Sequence, residues 1–189
     1  IFYRTHAQSR PLEEELLKYN LPYVVVGGTR FYDRAEVKDA LAYLRALRNP
    51  ADAESLLRIV NTPARGIGRT TLERVLLAAE QADTTLWDAL SRGLGALPNA
   101  AAKRIAEFVA LMNGFAPLLS GDAIAQPLAT VLERTGYLRA LEAENTIEAE
   151  ARLENLKELL AAVEEFERQN RDTPPPDDTP RDLVDLFLE

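Results

Sequence analysis

Residues 62–75 read Thr-Pro-Ala-Arg-Gly-Ile-Gly-Arg-Thr-Thr-Leu-Glu-Arg-Val, with two glycines around one apolar residue and an arginine on either side. Gly66 and Gly68 carry no Cβ, so the backbone there can turn sharply and come close to a partner. Thr70 stands three residues before Glu73, the spacing of a capping box, which predicts a helix beginning near Thr71. The first amides of such a helix have no internal partner and carry the positive end of its dipole. With Arg65 and Arg69 alongside, this turn is suited to hold a phosphate, and the phosphate it points to is that of a nucleic-acid backbone. The same residues also fit a plain tight connection between two helices, with one glycine as a C-terminal cap.

Other chemistry is not supported. The chain has no Gly-x-x-x-x-Gly-Lys-Ser/Thr phosphate loop and no Asp-Glu pair after a strand of the kind that binds magnesium. His6 is the sole histidine, which excludes a histidine-based triad or a two-histidine metal site. With no cysteine there is neither a disulfide nor a zinc–thiolate site, as suits a cytoplasmic protein. Glu164-Glu165 fall on a solvated helix, and Trp87, Phe115 and Tyr137 are expected to fill the core. No catalytic residue, metal ligand or cofactor is therefore expected in these residues themselves.

The charge is unevenly spread. Residues 1–76 hold 12 Lys+Arg against 9 Asp+Glu, whereas residues 77–189 hold 10 against 21. One half is thus mildly cationic and the other strongly acidic, as in a molecule that offers one face to an anion and keeps another away. No apolar run approaches a membrane span, and no membrane partner is expected. The chain starts at Ile1 within a strand-like run, so it is expected to be a piece of something longer.

The elements that would position the turn are mostly helical. Ile1-Phe2-Tyr3 and Tyr23-Val24-Val25-Val26 read as short strands around a helix over 11–20, a fragment of a parallel β-α-β unit. From about residue 33 onward, apolar residues recur at helical spacing. Val37, Leu41, Leu44 and Leu47 mark one helix, stopped by Asn49-Pro50, and Leu56, Leu57, Ile59 and Val60 mark the next. Leu72, Val75, Leu76 and Ala79 line the helix after the turn. Further helices are predicted around 84–92, 99–119, 126–135 and 146–170, the last with a core-facing stripe of Leu153, Leu156, Leu160 and Val163. Arg171 to Arg181 reads as an extended, proline-rich acidic loop, after which a short helix resumes.

In order along the chain, several blocks resemble the UvrD/PcrA/Rep DNA helicases of superfamily 1. They are Tyr3-Arg4-Thr5-His6-Ala7-Gln8-Ser9-Arg10, Val26-Gly27-Gly28-Thr29-Arg30-Phe31-Tyr32, and Glu36-Val37-Lys38-Asp39-Ala40-Leu41-Ala42-Tyr43-Leu44-Arg45. The likeness continues through Arg58-Ile59-Val60-Asn61-Thr62-Pro63, the Gly66-Ile67-Gly68 turn, Thr146-Ile147-Glu148-Ala149 and Arg152-Leu153-Glu154-Asn155-Leu156. The resemblance implies a mainly α fold: residues 1–30 as part of the RecA-like motor subdomain 2A, and residues 31–189 as the inserted multi-helix subdomain 2B with a helix-hairpin-helix-like Gly-Ile-Gly turn. It implies ATP and Mg2+ in a parent enzyme that unwinds duplex DNA in the 3′-to-5′ direction, with none of the ATPase residues in this piece.

Carried over residue by residue, the resemblance puts Arg4 on the single strand's backbone. His6 stands where relatives carry asparagine, either as a donor toward phosphate or as a turn cap. It puts the amides of Gly66 and Gly68, the Thr71 hydroxyl and the adjoining Arg65, Arg69 and Thr70 on duplex phosphates, with Ile67 buried to hold the turn. Lys38 reads either as a second contact or as a solvated lysine. Partners implied are double-stranded and junction DNA, the remaining helicase subdomains, and repair or replication proteins. Two roles follow: a duplex-gripping arm, or a regulatory and protein-interaction module that controls the motor without binding DNA itself.

Overall fold

The computed structural model describes residues 3, 8–25, 28–119, 123–170 and 183–188, and among these the regular backbone is all helix, with no strand. In chain order the helices are α1 (Ser9–Lys18), α2 (Ala35–Arg48), α3 (Ala53–Ile59), α4 (Arg69–Gln81), α5 (Leu86–Arg92), α6 (Asn99–Asn113), α7 (Ala125–Arg134), α8 (Tyr137–Glu144), α9 (Ile147–Asn170) and α10 (Leu183–Leu188). The mainly α architecture is the one expected. The flanking strands are not seen: Tyr23 to Val25 lie outside any helix or strand and Val24 is 84% exposed, while Ile1, Phe2 and Val26 fall outside the described residues. A β-branched run forms a strand only when another strand pairs with it, and none is present among the described residues.

Helix α2 is the centre of the molecule. Val37, Ala40, Tyr43 and Leu44 are fully enclosed, and Leu41, Ala42 and Ala46 nearly so. A helix apolar on most sides has to be surrounded by others, and α3, α7, α9 and α10 all pack on it. Asn49-Pro50 ends it as predicted. Helices α7, α8, α9 and α10 complete one side of the core, whereas α3 to α6 form a second row in which α4 packs on α5 and α5 on both α3 and α6. The α9 stripe does face inward: Leu156 and Val163 are buried, with Leu153 and Leu160 partly so.

Two differences from the periodicity have local causes. The helix expected over 99–119 stops at Asn113 and continues as a 3-10 turn over Ala116–Leu119. Pro117 has no N–H to return to the carbonyl four residues earlier, so an α-helix cannot run through it unbroken. Helix α8 is additional; its eight residues bury only Tyr137 and Leu141, too few to show a periodic signature.

Polar contacts fasten α1 to the bundle. Arg10 donates from Nε to Glu158 on α9 and from Nη1 to Glu14, both at 2.6 Å. Arg34 donates to Asn155 at 2.8 Å and to Ser9 at 2.7 Å, and Asn155 donates in turn to Glu36 at 2.6 Å. Because this group is buried, each member needs its partner to offset the loss of water. The buried Glu167 carboxylate accepts from the amides of Ile124 and Ala125 and so meets the positive end of α7.

Helix α3 begins at a well-defined cap, since Asp52 accepts from the Ser55 amide at 3.0 Å and from the Ser55 hydroxyl at 2.6 Å. Hydrogen bonding to the Ser55 side chain, then to its backbone, holds the Asp52 carboxyl below the usual carboxylate range. A carboxyl shifted downward on folding contributes stability that is present above its unfolded pKa and is lost as the pH falls through the folded value. Replacing Asp52→Ala should cost about 1 kcal/mol at neutral pH. Urea unfolding repeated in acid should show that deficit shrinking, while Asp52→Asn keeps a pH-independent cap.

Candidate nucleic-acid interface

The turn joining α3 to α4 is built by sorting its backbone groups. Asn61 lies just beyond α3, and its Oδ1 accepts from the amides of Arg65, at 2.8 Å, and Ile67, at 3.1 Å. Those two bonds curl residues 61–67 into a loop. Ile67 fills the loop from inside and is only 1% exposed, while Gly66 and Gly68 on either side of it are exposed. The Thr62–Pro63 peptide is cis.

The two glycines differ. Gly66 has φ +69°, in the left-handed region that suits glycine, and an added Cβ would lie 2.7 Å from Nη1 of Arg104. Gly68 is extended (φ −79°, ψ 165°) and an added Cβ there would meet nothing within 4 Å. Gly68 is itself the N-cap of α4, its carbonyl accepting from the Thr71 and Leu72 amides at 3.0 and 3.2 Å.

This corrects the expected capping box. Helix α4 starts at Arg69, before Thr71, and no side chain caps it. Thr70 lies inside the helix, where it cannot adopt the extended conformation that a capping residue requires. Glu73 is held by Arg69, one turn away, at 2.8 Å from its Nε. With the side-chain cap missing, the amides of Gly66, Gly68, Arg69 and Thr70 donate to no acceptor among the described residues. They lie together at an exposed tip, at the positive end of a helix of 13 residues.

Arg65 takes the opposite side of the turn. Its Nη1 donates to the carbonyls of Ile59 at 2.9 Å, Thr62 at 3.1 Å and Pro63 at 3.3 Å, and its Nη2 donates to the Tyr43 hydroxyl at 2.7 Å. The guanidinium also lies over the ring of Phe108, 5.5 Å from its centroid. Tyr43 in turn donates to the Thr62 carbonyl at 2.5 Å, and burial pushes its hydroxyl pKa up. Arg65 therefore closes the carbonyl end of α3, the role a cation plays at a helix C-terminus.

The remaining candidates are dispersed. Arg69 is 93% exposed at its side chain, and Thr70 and Thr71 lie on the same first turn of α4. Lys38 pairs with Asp33 at 2.8 Å and lines a cleft of about 750 Å3 with Arg45, Arg58 and Phe187, a cleft that no residue of the turn lines. Arg4 and His6 lie outside the described residues. Arg104 was not legible in the sequence: from α6, 38 positions after Gly66, its Nη1 donates to the Gly66 carbonyl at 2.8 Å. The adjacent cations Lys103-Arg104 are the sole hint, and nothing in their spacing connects them to residues 62–75. Among the described residues no group of acidic or histidine side chains is placed to hold a metal, and no helix is long and apolar enough to cross a membrane.

Removing Arg65 should unfold the turn from within, because several carbonyls and the Tyr43 hydroxyl lose a charged donor together. Arg65→Ala is expected to lower stability by about 2–3 kcal/mol and Tyr43→Phe by about 1 kcal/mol, read as shifts in the urea midpoint.

Comparison with known proteins bears on this architecture as a whole. Residues 1–179 match the model of the UvrD-like helicase C-terminal domain. The chain is 45% identical over 184 residues to the ATP-dependent DNA helicase UvrD1 of Mycobacterium tuberculosis, covering 94% of this chain and 24% of that protein. It is 41% identical over 176 residues to the ATP-dependent DNA helicase PcrA of Bacillus subtilis (91% of this chain, 23% of that protein) and 40% identical over 169 residues to PcrA of Staphylococcus aureus (88% and 23%). It thus spans about a quarter of the length of these curated relatives. With a match over nearly its whole length, the chain belongs to the UvrD-like helicase C-terminal domain family.

Proposed function

We propose that this chain is the duplex-gripping part of an ATP-dependent 3′-to-5′ DNA helicase that acts in repair or replication. Residues 1–30 would contribute to motor subdomain 2A, and residues 31–189 would form the inserted subdomain 2B. ATP and Mg2+ would act in the parent enzyme, with no catalytic step carried by these residues. The observation that carries the reading is the set of four unpaired amides at the tip of the 61–71 turn. Unpaired donors at and just before a helix N-terminus suit the oxygens of a phosphodiester. They read no base edge, so the grip would depend on shape and salt rather than on sequence.

Within this reading the sequence candidates take different tasks. Gly66, Gly68, Arg69, Thr70 and Thr71 would face phosphate. Ile67 and Arg65 would act from behind, one filling the loop and the other tying down its carbonyls. Lys38 would contribute from elsewhere on the surface, because its partner is Asp33 and its neighbours are those of the cleft. The second role, control of the motor, draws support from a different place. Arg10 bridges α1 to Glu158 of α9, so a polar joint lies between the segment assigned to 2A and the body assigned to 2B. Cytoplasmic placement and protein partners from repair or replication fit the same reading.

Gly68 allows a clean test. The position is extended, open and already an N-cap, so Gly68→Asp should fold normally and gain a few tenths of a kcal/mol from side-chain capping. The new carboxylate would occupy the free amides and repel phosphate. Fluorescence anisotropy with a duplex–single-strand junction across a salt series should show weak, salt-sensitive binding by the natural chain and none by Gly68→Asp, at an unchanged or higher Tm. Equal binding by both proteins would transfer the duplex contact away from the turn and favour the regulatory role.

A further inference from the structure

We propose that Arg104 is a direct phosphate contact, the side-chain arm of a cradle whose other half is the amide cluster of the turn. The inference rests on the reading of that turn as a phosphodiester site and adds to it a residue from another helix. Arg104 is exposed on α6 and reaches back to Gly66 through one N–H, from Nη1 to the carbonyl at 2.8 Å. A guanidinium has five N–H donors in a planar fork, so most of its donors remain for a ligand. The cations beside it in the turn are already committed: Arg65 to inward carbonyls and Tyr43, Arg69 to Glu73. Arg104 pairs with no carboxylate among the described residues. Its charge therefore stands without a carboxylate partner against the Gly66 backbone, in a chain of net charge −8.

Gly66 acquires a second requirement from this contact. Beyond its left-handed φ, the absent Cβ is what lets the guanidinium lie against the backbone, since that atom would sit 2.7 Å from Nη1 and 2.8 Å from Cζ. The bond to the Gly66 carbonyl sets the fork at the edge of the turn. Helices α4 and α6 then present donors from two directions to one phosphate, a geometry that a single helix N-terminus does not supply. Arginine suits this position better than lysine, because a planar fork can hold a carbonyl with one arm and a phosphate oxygen with another.

The test compares the natural chain with Arg104→Gln, Arg104→Lys and Gly68→Asp, measuring junction-DNA affinity by anisotropy as a function of salt, with Tm recorded for each. Arg104→Gln should keep its Tm, bind roughly eightfold more weakly at 0.1 M salt, and lose about 0.9 from the slope of log affinity against log salt, the signature of one lost phosphate contact. Arg104→Lys should recover the slope but only part of the affinity. If Arg104→Gln binds like the natural chain while Gly68→Asp does not, the turn reading stands and this proposal falls. Weaker binding by Arg104→Gln at an unchanged slope would also overturn it, leaving Arg104 as a support for Gly66 alone. If Gly68→Asp binds normally, the turn reading fails and the cradle with it.

Discussion

The turn between α3 and α4 depends on the capture of its first carbonyls by a single guanidinium. That guanidinium, of Arg65, is half-buried. Arg65 gathers the carbonyls of Ile59, Thr62 and Pro63, which would otherwise be left at the negative end of α3. Asn61 performs the complementary task on the amides of Arg65 and Ile67. With these groups satisfied internally, the amides of Gly66, Gly68, Arg69 and Thr70 are among those left without an acceptor among the described residues, and all four residues are exposed. The unpaired amides are thus a consequence of how the inner side is closed, and the buried Ile67 fills that inner side.

The bundle supplies the frame. Tyr43 comes from α2, the most enclosed helix, and its hydroxyl accepts from Arg65 while donating to Thr62. Phe108 and Arg104 come from α6, one meeting the Arg65 guanidinium and the other the Gly66 carbonyl. Two separate helices therefore meet at a loop of a few residues. The second half of the chain is strongly acidic, whereas the first carries a small cationic excess.

Much of the frame was legible in the sequence because helix periodicity is a local signal. The positions of α2, α3, α4, α5, α7 and α9 follow from apolar residues three and four apart, and Asn49-Pro50 marks a boundary by chemistry that needs no tertiary information. Helix α8 escaped because two buried residues make no pattern. The capping box failed for a different reason: Thr70 and Glu73 have the right spacing, but Gly68 takes the extended conformation first and moves the helix start ahead of them. The chemistry of the site was legible only by halves. Gly66, Ile67 and Gly68 announce a turn, yet the direction of the Arg65 side chain depends on Tyr43, 22 positions earlier, and on Phe108. No reading of adjacent residues can place a guanidinium among groups that only the fold brings near.

The Tyr43 hydroxyl has a mechanical meaning as well. A loop tied only to its own flanking helices would swing when pulled, and force applied at its tip would be absorbed by rotation of a few backbone dihedrals. Here the tip is tied through Arg65 and Tyr43 to α2, a helix packed on nearly all sides. Any load carried by a ligand at the Gly66–Gly68 tip would pass into α2 and from there to the bundle as a whole. The turn is thereby tied to α2 and not only to the two helices it joins.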